Sequence, residues 1–119
     1  MSESVIRMGA VSYAPKVVTI WEGFKPWLKA RGFAFDYVLY SNYEALVEAL
    51  MAGQLHFAWN SPLAFVRAQR MARALGQEVE PIVMRDTDMD LQSVLVVPAG
   101  SDVRGVEDLR GRTLGFGAI

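Results

Sequence analysis

The chain has 119 residues, with 12 Lys and Arg against 13 Asp and Glu, so its formal net charge is −1. This balance argues against nucleic-acid binding, because nucleic-acid-binding surfaces are strongly basic. Its apolar content of 52% can form a core, and no apolar run approaches the ~18 residues of a membrane-spanning helix. The chain has no cysteine and a single histidine, His56, which excludes disulfides, thiolate metal sites and sites built from several histidines.

Up to Gly76 the chain alternates between strand-like and helix-like segments. Short runs rich in β-branched and aromatic residues predict three strands, at Val5–Val11, Ala34–Tyr40 and Leu55–Trp59. Apolar residues at helical spacing follow each run and predict three helices. The alternation predicts an α/β fold with a mostly parallel sheet flanked by helices.

The first predicted helix carries an apolar stripe from Val17 to Leu28. Pro26 lies inside this stripe and has no backbone N–H, so we expect a kink or an early end of the helix near Phe24. Gly32 provides the stop signal.

The second and third predicted helices have recognisable starts. Ser41–Glu44 has the S-x-x-E form of a capping box and predicts a helix that runs to about Ala52. Ser61 is the predicted N-cap of the third helix, with Pro62 at its first position. The stop signals are Gly53 and Gly76.

Beyond Gly76 the pattern predicts mainly strands. These are Val79–Met84, Ser93–Val97 and Arg112–Phe116. Gly105–Arg110 predicts one short helical turn. Arg85–Asp90 is an acidic loop without the glycine and terminal glutamate of a calcium loop, so we expect no metal site there.

Three strand-to-helix junctions form the candidate functional region. In an open parallel sheet, ligands bind outside the carboxyl ends of the strands, where helix N-termini present free N–H groups and a partial positive charge. The junctions Ser12–Pro15, Ser41–Tyr43 and Asn60–Pro62 all carry hydrogen-bonding side chains. From the residues alone, either binding of a small anion or ordinary helix capping explains them.

Other polar residues favour structural interpretations. His56 lies within a predicted strand without a second metal ligand near it, so we expect a structural role. Arg67, Arg70 and Arg73 are expected to form a solvated helix face. The chain has no nucleophile elbow and no HExxH motif, which favours binding over catalysis, and we expect no cofactor.

Several runs together carry a family resemblance. They are Gly9–Pro15, Ser41–Leu50, Gly53–Asn60, Ser93–Val97 and Val106–Thr113. In order and spacing they resemble the phosphate/phosphite/phosphonate-binding proteins of ABC importers. The resemblance implies a type II periplasmic-binding-protein fold, in which two α/β lobes close over an anion. It implies a solute-binding protein that is not an enzyme, is periplasmic or extracytoplasmic, and works with an ABC permease.

The resemblance also implies site residues. In the family, the tyrosine that starts the second helix and the residues just after the third strand face the ligand. These positions correspond to Tyr43, Asn60 and Ser61. Tyr13, in the first junction, is implied as a residue of the cleft wall. The implied ligand is a small phosphorus oxyanion or a phosphonate.

The resemblance divides the chain into residues 1–90, the N-terminal part of the first lobe, and residues 91–119, the crossing strand and the start of the second lobe. The family's second anion-binding segment follows the run Gly115–Gly117. We therefore expect an N-terminal portion of a longer protein, with an incomplete lobe, weak ligand binding and self-association through exposed sheet edges. Met1–Ser4 has no basic or apolar leader region, so we expect either an internal protein or a removed signal.

Two other functions are compatible with this fold. One is the effector-binding domain of a transcription regulator, which would need a DNA-binding segment ahead of the first strand. The other is an enzyme on a similar fold, such as a pyrimidine-precursor synthase or a deaminase-like protein. That alternative needs a cofactor or a nucleophile, and the sequence motifs indicate neither.

Overall fold

The computed structural model describes residues 4–116. Within them the elements are β1 Ile6–Val11, α1 Lys16–Lys29, β2 Phe35–Tyr40, α2 Tyr43–Met51, β3 Phe57–Ala58 and α3 Pro62–Ala74, followed by 3₁₀ turns at Asp86–Asp88 and Val106–Leu109. The predicted α/β class is confirmed. The chain divides into two compact units, one running through Glu80 and the other beginning at Pro81. Residue 117, which ends the Gly-Phe-Gly run, lies outside the described residues.

The sheet of the first unit is parallel, in the order β2-β1-β3. Val11 pairs with Tyr40 of β2, and Gly9 pairs with Ala58 of β3. Successive residues of a strand point to opposite faces, and Ala10 and Val11 belong to different core clusters. Helices α1 and α2 therefore cover opposite faces of the sheet.

Three small clusters make the core of this unit. On one face, α1 contributes to the cluster Ala10, Val17 and Trp21. On the other face, α2 contributes to the cluster Val11, Leu46, Ala49 and Leu55. Helix α3 packs on α2 through Val47, Ala64 and Ala68. Because the α3 residues of this contact are alanines four positions apart, the two helices can approach closely.

The predicted early end of the first helix is wrong, because α1 continues through Pro26 to Lys29. Later residues hold the last turn in place. The rings of Phe24 and Trp27 pack edge to face at 6.4 Å, and Arg31 lies 3.7 Å over the Trp27 ring. The Arg31 guanidinium also donates to the Trp27 carbonyl oxygen at 2.9 Å. These contacts offset the backbone hydrogen bond that proline removes.

The predicted capping box at Ser41–Glu44 is also wrong. The N-cap of α2 is Asn42, whose Oδ1 accepts a hydrogen bond from the Ala45 N–H at 2.8 Å. Asparagine and serine cap equally well, so the S-x-x-E pattern cannot distinguish two adjacent caps. Glu44 is instead paired with Arg67 at 3.2 Å. The other helix signals are confirmed: Ser61 caps α3, and Gly32, Gly53 and Gly76 follow the three helices with positive φ.

The three strands predicted beyond Gly76 do not form within the described residues. Their segments, Val79–Met84, Ser93–Val97 and Arg112–Phe116, are assigned no strand. Their apolar side chains are largely exposed, as in Ile82 at 71% and Val96 at 86%. A strand needs a hydrogen-bonded partner, which composition does not provide. The predicted turn near residue 105 does form, and the Asp108 carboxylate accepts from the Gly105 N–H at 3.1 Å.

Candidate functional site

The carboxyl ends of all three strands lie at one edge of the sheet, and backbone hydrogen bonds fix them there. The Ser12 N–H donates to the Tyr40 carbonyl at 2.9 Å, which ties the end of β1 to the end of β2. The Trp59 N–H donates to the Gly9 carbonyl at 2.8 Å, which ties the end of β3 to β1. The three predicted junctions are therefore neighbours, as the rule for parallel sheets requires.

Two of the three helices that begin at this edge have uncompensated positive N-termini. In the described helices α1 and α3, no acidic residue lies in the first turn. Helix α2 has Glu44 there, but Arg67 pairs with that carboxylate. The partial positive charges of the helix ends therefore remain available to an anion.

Ser61 places a hydroxyl at the start of α3. Its Oγ accepts from the Ala64 N–H at 3.2 Å. A hydroxyl that accepts one hydrogen bond keeps its own proton for donation. Ser61 can therefore cap the helix and donate to a ligand oxygen at the same time, so capping and anion binding do not compete at this residue.

Tyr13 lies close enough to Tyr43 at this edge to act on it electrostatically. Tyr43, the first residue of α2, packs against both the Leu46 cluster and the Ala64 cluster. Burial raises the pKa of the Tyr43 phenol, and the nearby Tyr13 phenolate raises that pKa further. Tyr43 therefore stays a neutral hydroxyl donor at physiological pH. Tyr13 itself is 65% exposed, in keeping with a residue on a wall rather than in the core.

Asn60 directly follows Trp59, the residue that ties the end of β3 to β1. The ring of Trp59 packs edge to face on Trp21, with centroids 5.9 Å apart. The backbone N–H of Trp59 is hydrogen-bonded to Gly9 of β1. Asn60 is partly exposed, yet its Oδ1 is fully buried and has no hydrogen-bond partner in the described part of the chain. The sequence indicates Asn60 as a site residue through its position, but nothing in the sequence predicts this unpaired oxygen.

The predicted site residues thus form two pairs at one sheet edge. Tyr13 and Tyr43 interact electrostatically, and Asn60 and Ser61 are adjacent at the start of α3. Surface depressions of about 460 and 320 Å³ lie around the end of α3 and between α2 and α3, and neither is lined by these four residues. The candidate site is accordingly separate from both depressions.

His56 has a structural role, as predicted. Its Nδ1 accepts a hydrogen bond from the Arg7 N–H at 2.9 Å, while its own backbone N–H donates to the Arg7 carbonyl at 2.9 Å. The imidazole thereby adds one hydrogen bond to the short pairing of β1 with β3. Among the described residues no group of histidine and carboxylate side chains could hold a metal ion.

Comparison with known families identifies the protein class. Residues 8–119 match a family described as "ABC transporter, phosphonate, periplasmic substrate-binding protein". The chain belongs to this family. The match confirms the resemblance, and the parallel α/β unit is consistent with part of a type II periplasmic-binding-protein lobe. No curated protein and no solved structure gives a significant match.

Membership fixes the general function. The family consists of periplasmic substrate-binding components of phosphonate ABC transporters, and it is not an enzyme family. No helix in the described range 4–116 has the length and hydropathy needed to cross a membrane.

Proposed function

We propose that this protein binds a small phosphorus oxyanion or phosphonate at the carboxyl edge of its sheet and delivers it to an ABC permease. The ligand-contacting residues are Tyr43, Asn60 and Ser61, with Tyr13 on the wall of the site. The observation that carries the proposal is the set of helix N-termini at this edge without unpaired acidic residues in their first turns.

The proposed mechanism is recognition without chemistry. The Tyr43 and Ser61 hydroxyls and the Asn60 amide are neutral donors, and they would replace water around the anion. Helix N-termini stabilise the remaining negative charge through their partial positive charge. Neutral donors also avoid the desolvation penalty that a charged side chain in the site would carry.

The interlobe cleft is also part of the proposal. Residues 91–119 would lead into a second lobe, which closes over the anion and excludes solvent. The protein would act outside the cytoplasm, as its family does. Donors from one lobe alone should give weak binding, and a millimolar dissociation constant corresponds to only about 4 kcal/mol.

Self-association is a further element of the proposal. In the described residues, β3 is paired on one side only, and the segments beyond Pro81 expose apolar side chains such as Val83 and Val96. Exposed edges and apolar patches favour pairing between copies. Light scattering at increasing concentration should show a rising mass, and a monomeric mass throughout would contradict this element.

An amide NMR titration tests the proposed function. The ¹⁵N-labelled protein is titrated with phosphate, phosphite and methylphosphonate, with chloride at equal ionic strength as the control. We expect saturable shifts at Tyr43, Asn60 and Ser61 and none at His56 or in the turn near residue 106. Shifts that are absent at the three site residues, or identical with chloride, would refute anion binding at this edge.

A further inference from the structure

The depression between α2 and α3 is a groove whose two sides carry opposite charges. Its volume is about 320 Å³, and its apolar lining consists of Val47 and Met71. Helix α2 contributes two glutamates to the lining and helix α3 contributes two arginines, namely Glu44, Glu48, Arg67 and Arg70. This α2–α3 groove therefore has an acidic side and a basic side, with an apolar strip between them.

Only one glutamate and one arginine of the groove pair with each other. Glu44 and Arg67 form a salt bridge at 3.2 Å, which sets these two residues level along the groove. Both helices begin at the carboxyl edge of the sheet, so they run in the same direction. Glu48 and Arg70 each lie about one turn further along and are exposed. Neither forms a salt bridge within the described range 4–116.

This charge pattern is complementary to itself under one kind of two-fold symmetry. A two-fold axis parallel to the helices lays α2 of one copy on α3 of the other and preserves the height along the groove. Glu48 of each copy then faces Arg70 of the other copy. A two-fold axis across the helices would instead lay α2 on α2 and set glutamates against glutamates. The charges favour the first arrangement, in which the same patch serves both copies.

We propose that the α2–α3 groove docks a second copy of this chain, with α2 of each copy lying on α3 of the other. The dimer gains two ion pairs between Glu48 and Arg70, and it buries Met71, whose flexible side chain adapts to a partner surface. It also covers Leu63, which is 46% exposed and lies on the same face of α3 as Arg70, seven residues away. This inference goes beyond the proposed function, because it does not depend on which anion binds.

The size of the surface sets the strength of the expected dimer. Helices α2 and α3 have 9 and 13 residues, so they are about 14 and 20 Å long. A face of that length and two helices wide has an area of roughly 400 Å² per copy, about half that of a standard interface. We therefore expect a weak dimer that forms at high protein concentration.

Sedimentation velocity on charge-reversal variants tests the inference, with protein concentrations up to about 1 mM because the interface is small. Arg70→Glu and Glu48→Arg each turn both intercopy pairs into repulsions, so either change should weaken association on the order of 10-fold. The double variant Glu48→Arg/Arg70→Glu exchanges the two charges and should recover the association. Lys29→Glu, the matched control, makes the same charge change as Arg70→Glu on α1, across the sheet, and should leave association unchanged.

The outcomes separate this dimer from other modes of association. Raising the salt concentration from about 50 to 500 mM should weaken association, since exposed ion pairs are screened. Association that both single reversals leave unchanged would assign it to the exposed sheet edges and overturn the inference. Equal effects of Lys29→Glu and Arg70→Glu would reduce the result to net charge and overturn it as well. A monomeric mass at every concentration would also refute it and leave the groove to a partner other than a second copy.

Discussion

Gly9 offers the sharpest test of how the sheet and α2 fit together. It lies in the central strand β1, and the position that a Cβ would occupy faces the core cluster of Val11, Leu46, Ala49 and Leu55. A Cβ added at Gly9 would lie 2.5 Å from Leu55 Cδ1 and 3.2 Å from Tyr40 Cε2, and it would overlap Leu46 Cδ1. Ordinary carbon–carbon contacts are about 3.5–4.0 Å. Leu46 is fully buried and Leu55 is 6% exposed, so neither leucine can move aside into solvent.

The expected change in the free energy of unfolding for Gly9→Ala follows from this crowding. Overpacking a close-packed core costs about 1–3 kcal/mol, and the smaller entropy of an unfolded alanine chain offsets about 0.4–1 kcal/mol of this. We expect a net loss of about 1–2 kcal/mol in the free energy of unfolding. Gly23→Ala is the matched control, because a Cβ there meets nothing within 4 Å in the middle of α1. That change should stabilise the protein by about 0.5–1 kcal/mol.

Urea denaturation followed by tryptophan fluorescence measures both variants. The expected gap between them is about 2 kcal/mol, or roughly 30-fold in the folding equilibrium constant, with an unchanged dependence on urea. Leu55→Val should cost less in the Gly9→Ala background than in the natural protein, because it removes one of the overlapping methyl groups. Equal midpoints for the two alanine variants would refute the close approach of α2 to β1.

Three further predictions concern polar contacts. His56→Ala should lower the free energy of unfolding by about 1 kcal/mol, because a backbone N–H of β1 loses its acceptor; urea denaturation checks this, and His56→Asn should recover part of the loss. Tyr13→Phe should lower the pKa of Tyr43 yet leave it above its ordinary value, since burial persists; an ultraviolet titration that finds no change would contradict this. The Lys25 ammonium holds the pKa of Asp36 below its usual value, so the stabilisation by Asp36 is present at neutral pH. Thermal unfolding should show the difference between Asp36→Asn and the natural protein disappearing as the pH falls through that lowered pKa.

Local signals predicted the first unit well because its elements are set by near neighbours in sequence. Ser61 and Pro62 start α3 as expected, and Gly32 ends α1 with a positive φ. Local signals failed in two ways. The proline signal missed the continuation of α1 past Pro26, where side chains of the same stretch, such as Arg31 over the Trp27 ring, hold the last turn. Strands such as Ser93–Val97 need a distant partner that composition cannot supply.

For the candidate site, the sequence predicts the edge of the sheet but not the hydrogen bonding of each side chain there. The rule for parallel sheets identifies the edge where Tyr43 and Ser61 lie, since it needs only the order of strands and helices. It cannot identify which asparagine caps a helix and which is left unpaired. Asn42 and Asn60 both stand just before helices, and only packing separates the satisfied amide from the orphaned one.

The position of the proposed site on the sheet connects core packing to the proposed ligand recognition. The junctions are held by backbone bonds between strand ends, such as Ser12 to Tyr40 and Trp59 to Gly9. Gly9 therefore contributes twice, because it leaves room for Leu46 and Leu55 on one side and its carbonyl fixes Trp59, the residue before Asn60. A Cβ at Gly9 that displaces β1 must also displace Trp59. We therefore expect Gly9→Ala to shift the amide resonances of Asn60 and Ser61 even without ligand, whereas Gly23→Ala should leave them in place.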